Sequence, residues 1–405
     1  MIAAISWRNI WRNKWRSIVI IMAITAGLTG GIFTVAIYNG LAEQKLRTAI
    51  DTQTAHLQMH ASGFQENMDI RLYLHDADRM LAVAGAQPGV QAVAGRLIAT
   101  GMAASANSNI GIRLNGIVPE KEKAISTIYQ SLVEGDYFQN EKRNQVLISS
   151  RTAKKLKVGL NGKVVVTLQD LNGDIVGAAF RVGGIFKTTH TGFDETNVFV
   201  LKRDLERILS MDGIVNEIAI RASDIEAVPG VQRRLQETFP PKETQVESWR
   251  ELQPELAYIN DVTWQVNYLI LVIILLALAF GILNTMLMAI FERVREIGVL
   301  MAVGMSKARI FSMIILETVF LSLTGAALGM VISAWLVSTL GTSGIDLSAF
   351  AQGLEAFGYS SMIYPQLEPL FYLTLACMVV IAALLSSLYP AYKALELNPV
   401  EAIHG

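Results

Sequence analysis

Residues 292–310 read ERVREIGVLMAVGMSKARI, and the architecture of the chain follows from this stretch. Residues 262–291, before it, contain no Asp, Glu, Lys or Arg, and from Ile310 to about Leu340 the chain is apolar again except for Glu317. About 20 apolar residues span the hydrocarbon core of a bilayer, so two membrane helices flank a short charged connection. Arg293, Arg295, Lys307 and Arg309 in so short a loop place it on the cytoplasmic side. A short amphipathic helix with Ile297, Leu300 and Met301 on one face is a natural plug for a partner's groove, the alternative being a solvated turn with incidental charge.

The flanking spans are expected at 264–291 and 310–340, with the connection at 292–309 and Ser306 placed to cap the later helix. An outer loop at 341–368 leads to a last span at 369–390, ended by Pro390, and a tail at 391–405. At the other end, Trp7, Trp11 and Trp15 form one helical stripe beside Arg8, Arg12 and Arg16. Indole rings favour the membrane–water interface, so 1–16 reads as an interfacial elbow leading into a first span at 17–41. A cleaved signal peptide is the competing reading, but its apolar stretch would run only about 7–15 residues and this one is much longer. Gly27-x-x-x-Gly31 and Gly325-x-x-x-Gly329 each let another helix approach closely.

Residues 42–262 form a soluble α/β segment that, after one span, lies on the outer side. Strands are expected at 56–60, 95–103, 111–118, 198–201 and 216–221. Helices are expected at 121–132, 149–157, 203–210 and 227–239. Residues 164–169 and 175–186 flank Asn172-Gly173, a hairpin signal. The expected fold is an α-helical membrane protein with four transmembrane helices plus a large extracytoplasmic α/β domain.

Several chemistries are excluded or weakly supported. The net charge of −1 gives no global basicity for nucleic acid. The single cysteine, Cys377, permits no intrachain disulfide and sits in an apolar run. No phosphate-binding loop of the Gly-x-x-x-x-Gly-Lys-Ser/Thr type occurs; Gly159-Leu160-Asn161-Gly162-Lys163 is too short. His56 and His60 share one strand face without further ligands to complete a metal site. Thr188-Thr189-His190 with Asp194 lacks a nucleophile turn. Glu317, about two turns into an apolar span, should face the bundle or pair, with Arg293, Arg295 or Asn284 within the available set.

Glu292-Arg293-x-x-Glu296-Ile297-Gly298, then Ala302-x-Gly304, then a span with one glutamate, resembles the cytoplasmic loop of ABC-transporter permeases of the MacB, LolC/LolE and FtsX superfamily. The opening Trp7–Ser17 and the closing Tyr389-Pro390-Ala391 through Leu397-Asn398-Pro399-Val400-Glu401-Ala402-Ile403 are similar to the ends of that family, with Ile403 in place of Leu. The resemblance implies that 42–262 combines a porter-like part with an inserted small α/β part at roughly 116–214. It implies a permease subunit without its own ATPase, worked by two cytoplasmic ATPase subunits that hold ATP and Mg, so the chain itself needs no cofactor and no metal. Four spans are too few for a closed path, so a second permease subunit is expected. The implied coupling residues are Glu292, Arg293, Arg295, Glu296, Ile297, Gly298, Leu300, Met301, Ala302 and Gly304; the implied helix-packing residues are Gly27, Gly31, Gly325, Gly329 and Glu317.

Tyr38-Asn39-Gly40-Leu41 and Gly344-Ile345-Asp346-Leu347 look most like the lipoprotein-releasing branch. That implies a multi-pass protein of the bacterial inner membrane with cytoplasmic termini, a lipoprotein substrate and a periplasmic acceptor. Acyl chains would enter a cleft between the first two spans, lined by Met22, Phe33, Ile270 and Ile274. The alternatives are MacB-like efflux or export of peptides or amphiphiles, and an FtsX-like signalling or hydrolase-regulating protein.

Overall fold

The computed structural model describes residues 2–12, 14–138, 143–356 and 358–396. The closing motif from Leu397 to Ile403 therefore lies outside the described residues. The chain divides into two compact units, one of Met1–Ala42, Asp261–Asp346 and Met362–Gly405, the other of Glu43–Asn260 and Leu347–Ser361.

The first unit contains the elbow helix Ile2–Arg12 and a shorter loop helix Val294–Ala302. Its long helices are Lys14–Ala49 (span 1), Pro254–Glu292 (span 2), Lys307–Ser343 (span 3) and Pro369–Leu395 (span 4). All four are long and apolar enough to cross a membrane, and a helix satisfies every backbone group in a medium that offers no hydrogen bonds. Each helix overruns the expected span, because backbone pairing continues past the point where side chains turn polar. The helix of span 1 already includes Lys14, so Trp15 and Arg16 belong to it and not to the elbow. Pro390 does not end span 4. The helix carries it to Leu395, with Pro390, Ala391 and Ala394 buried, as membrane helices tolerate when neighbours support the interrupted turn. Ser306 does stand at the N-cap of span 3, but its side chain makes no cap bond. Cys377 is exposed on span 4 instead of being enclosed by protein.

The glycines now have partners. A β-carbon on Gly27 would lie 2.9 Å from Leu278 Cδ2, and one on Gly31 2.6 Å from Ile274 Cδ1, so both admit span 2. Gly325 and Gly329 instead admit span 1, facing Ile24 and Leu28. Two threonines lock that contact: Thr25 Oγ1 donates to the Gly325 carbonyl at 3.0 Å and Thr29 Oγ1 to Gly329 at 3.3 Å. Span 1 is thus held between spans 2 and 3 by close backbone approach. At its outer end a side chain on Gly40 would collide with the Tyr364 carbonyl. The loop between spans 3 and 4 is not featureless: Ile345–Asp346 pairs antiparallel with Met362–Ile363, while 347–361 belongs to the second unit.

The second unit is built on ten strands: β1 (Leu57–Ala61), β2 (Val90–Ala104), β3 (Asn109–Ile117), β4 (Leu132–Gly135), β5 (Gln145–Ser149), β6 (Lys163–Gln169), β7 (Ile175–Phe186), β8 (Asn197–Leu201), β9 (Glu217–Ala222) and β10 (Thr244–Ser248). Strands β10-β1-β9 and the first half of β2 form an antiparallel sheet, packed by the helices Ala77–Gly85 and Val228–Thr238 around Met59, Met80, Ile218 and Leu235. The second half of β2 joins β3, β8, β5, β7 and β6, and β6 returns to β2, closing a six-stranded ring. Its interior is filled by Leu97, Leu114, Val146, Phe180 and Val182. Position 116, the rough start expected for an inserted part, lies inside β3, and β2 supplies side chains to both cores. One uninterrupted strand serves both cores, so no turn signal marks where the second begins. The expected helix at 121–132 is also shorter, Pro119–Ile125, because Ser126 turns extended and a strand starts at Leu132. The hairpin at Asn172-Gly173 forms, with Gly173 at φ +86°.

Candidate functional site

The loop helix starts one residue after Arg293 and ends in a Schellman turn. Met305 N–H bonds the Leu300 carbonyl at 3.0 Å and Gly304 N–H bonds Met301 at 3.1 Å. Gly304 has φ +93° with open space around it, so backbone conformation alone demands the glycine. The helix faces opposite to the sequence expectation. Ile297 and Gly298 are buried and Met301 packs on the core of the membrane unit, so this stripe is already used by the chain's own spans. Arg295, Glu296, Val299, Ala302 and Val303 are exposed, with Val303 at 83%. The apolar face sought its own core because those spans offered the nearest apolar surface. Leu300 lies between the two faces, half-buried.

Charge fastens the loop on three sides. Arg12 of the elbow helix pairs with Glu296, and Arg16 at the start of span 1 pairs with Glu292 at the end of span 2. Arg293 donates from Nε to Glu296 at 3.1 Å and from Nη1 to Glu317 at 3.0 Å. Glu317 is 9% exposed and bound through Arg293, whereas Arg295 and Asn284 are exposed. Burial pushes the Glu296 carboxyl up, but Arg12 and Arg293 outweigh it and hold it below the ordinary range. The elbow is also stitched to span 3, with Ser6 Oγ donating to the Met313 carbonyl at 3.2 Å. Between elbow helix, loop helix and spans 2 and 3 lies a cavity of about 580 Å³.

The four residues expected to line an acyl-chain cleft between spans 1 and 2 differ in their surroundings. Ile274 fills the space over Gly31, Leu278 that over Gly27, and Ile270 packs on the core. Phe33 is half-buried, and only Met22, 64% exposed, is open to the surroundings.

In the second unit a buried ionic network escaped sequence reading. Arg96 donates to both carboxylate oxygens of Glu122, at 3.0 and 2.6 Å, and to Glu217 at 2.7 Å. Arg113 reaches Glu217 at 3.0 Å, and His60 Nε2 lies 3.4 Å from the same carboxylate. Burial disfavours the His60 cation, but Glu217 and Glu247 prevail and raise its pKa. Burial also opposes ionised Glu217, yet Arg96, His60 and Arg113 hold its pKa far below normal. One available signal was Arg96 itself, set among apolar residues of a strand. His190 caps the helix Thr191–Thr196 through Nδ1, which accepts from Phe193 N–H at 2.9 Å, and Asp194 accepts from Thr188 Oγ1 at 2.7 Å. These are fastenings of a turn. No cluster of three or more His, Cys, Asp or Glu suited to a metal occurs among the described residues.

Two families match the chain. The MacB-like periplasmic core domain matches residues 17–238 and the FtsX-like permease C-terminal domain residues 268–399. The lipoprotein-releasing system transmembrane protein LolC of Xylella fastidiosa is 22% identical over 95% of this chain and 92% of its own length. The macrolide export ATP-binding/permease protein MacB of Wolinella succinogenes is 25% identical over 67% of this chain and 41% of its own. Among solved structures, the periplasmic region of MacB from Actinobacillus actinomycetemcomitans aligns with a TM-score of 0.36 at 12% identity, covering 52% of this chain and 95% of that one.

Proposed function

The chain belongs to the ABC-transporter permease family defined by a MacB-like periplasmic core and an FtsX-like C-terminal half, and we propose that it couples a separate ATPase to release of lipoproteins from a bacterial inner membrane. The observation that carries the coupling role is the loop helix. Ion pairs to the elbow, span 1 and span 3 hold it, while Ala302 and Val303 stay exposed on its outward face. A partner groove docking there would push on three elements at once. In this reading two ATPase subunits bind ATP and Mg, a second permease subunit completes the membrane part, both termini are cytoplasmic, and a periplasmic acceptor takes the lipoprotein. Lipoprotein release is favoured over MacB-like export because likeness to a LolC chain runs nearly end to end, whereas the MacB relative is matched over less than half its length.

The test is co-purification from native membranes followed by mass spectrometry, together with Val303→Asp. The wild type should retain an ABC ATPase and a lipoprotein; the variant should insert normally yet lose the ATPase. Absence of any ATPase from the wild-type complex would overturn the coupling role. An ATPase accompanied by a peptide or drug exporter component in place of lipoprotein would overturn the substrate assignment alone.

A further inference from the structure

The cavity beneath the loop helix has the size and lining of a ligand site, since such sites run to several hundred Å³, mostly apolar with a few placed polar groups. Its apolar wall includes Met286, Ala289, Ile290, Leu300, Met313 and Ile314. Four of the charges lining it cancel: Arg12 and Arg293 are engaged by Glu296 and Glu317. Arg295 also lines the cavity, is exposed, and has no ion-pair partner among the described residues. The rim therefore carries one uncompensated positive charge above an apolar chamber.

The depth of the cavity in the bilayer can be read from the elbow helix. Ile5, Asn9 and Arg12 face the cavity on one stripe, while Trp7 and Trp11 of the same helix are 44% and 42% exposed. Indole rings settle at headgroup level, which puts the rim among headgroups and the apolar wall among acyl chains. We propose that this cavity binds an anionic phospholipid, an acyl chain lying along Ala289, Ile290 and Met313 and the phosphate meeting Arg295. The lipid would brace the underside of the loop helix, making coupling sensitive to the anionic lipid content of the membrane. The ATPase is not needed for this binding, and the test omits it.

Native mass spectrometry of the full-length chain, purified in detergent with phosphatidylglycerol or phosphatidylcholine, reads the site directly. Wild type should retain one phosphatidylglycerol in preference to phosphatidylcholine. Ala289→Met fills the chamber and should bring retention down to the phosphatidylcholine level; Ala289→Val, a smaller step, replaces it if that variant does not fold. Arg295→Gln should lower the preference about fivefold, the worth of one basic residue against an anionic lipid surface. Arg8→Gln, exposed on the elbow but not lining the cavity, should change nothing. Undiminished preference in both Ala289→Met and Arg295→Gln, or an equal loss in Arg8→Gln, would show adsorption to the general surface and overturn the site.

Discussion

Two charge networks of similar composition serve the two units in opposite ways. In the outer unit, the Arg96, Glu122 and Glu217 side chains are 6%, 1% and 0% exposed. At the loop, the Arg12 and Glu296 side chains are each 52% exposed. A buried pair is held by the lack of alternatives, because removing one partner strands an unpaired charge. An exposed pair contributes little stability, since water replaces either partner at small loss. The first network is built to stay as it is, at the seam where β2 passes from one core to the other. The second can break and re-form, as the proposed coupling role would require.

The strongest way to break this contrast is Arg96→Ala. It should destabilise the outer unit by about 3–5 kcal/mol in denaturant unfolding, and a loss below about 1 kcal/mol would place the network with ordinary surface pairs. Glu317→Gln is intermediate: its partner Arg293 keeps Glu296, so a loss of about 1.5–3 kcal/mol is expected in thermal unfolding of the membrane unit.

Smaller still is a pH effect confined to the outer network. His60 stacks on Phe64 and faces Glu217, Glu247 and Gln65. Its folded pKa lies above the ordinary 6.5, so its contribution is full below that value and is lost as pH rises through the folded pKa. Glu217 works in the other direction, contributing above the ordinary 4.5 and failing as pH falls toward its folded value. Stability of the outer unit should therefore decline above pH 6.5, and His60→Gln should remove that slope while leaving the acid limb. A slope unchanged in His60→Gln would assign it to another group.

The smallest expected stability change is at Arg12→Ala, about 0.2–1 kcal/mol. Its ATPase stimulation should nonetheless fall, and the exchange Arg12→Glu with Glu296→Arg should restore it. Stimulation that ignores both variants would sever the elbow from coupling.

The loop was legible because its charge stands between two uncharged runs, and the spans because length and apolarity suffice to mark them. The outward face of the loop helix was not. Helical spacing puts Ile297 and Met301 on one stripe but does not say whether that stripe meets its own spans or a partner. The buried network was hidden for a different reason. Arg96, Arg113, Glu122 and Glu217 are scattered over more than a hundred positions, and all but Arg96 look like surface charges until β2, β3, β9 and the helix Pro119–Ile125 bring them together. The glycine motifs announced close packing, but only the positions of Leu278, Ile274, Ile24 and Leu28 told which helix fills each notch.

The two-residue ladder between Ile345–Asp346 and Met362–Ile363 fastens the neck of the loop that joins spans 3 and 4. With its ends tied, the enclosed stretch can lengthen cheaply, since doubling a flexible loop adds only about 0.6 kcal/mol of closure entropy. Evolution thus has a place to graft new recognition sequence onto the outer face without retuning the helices that anchor it.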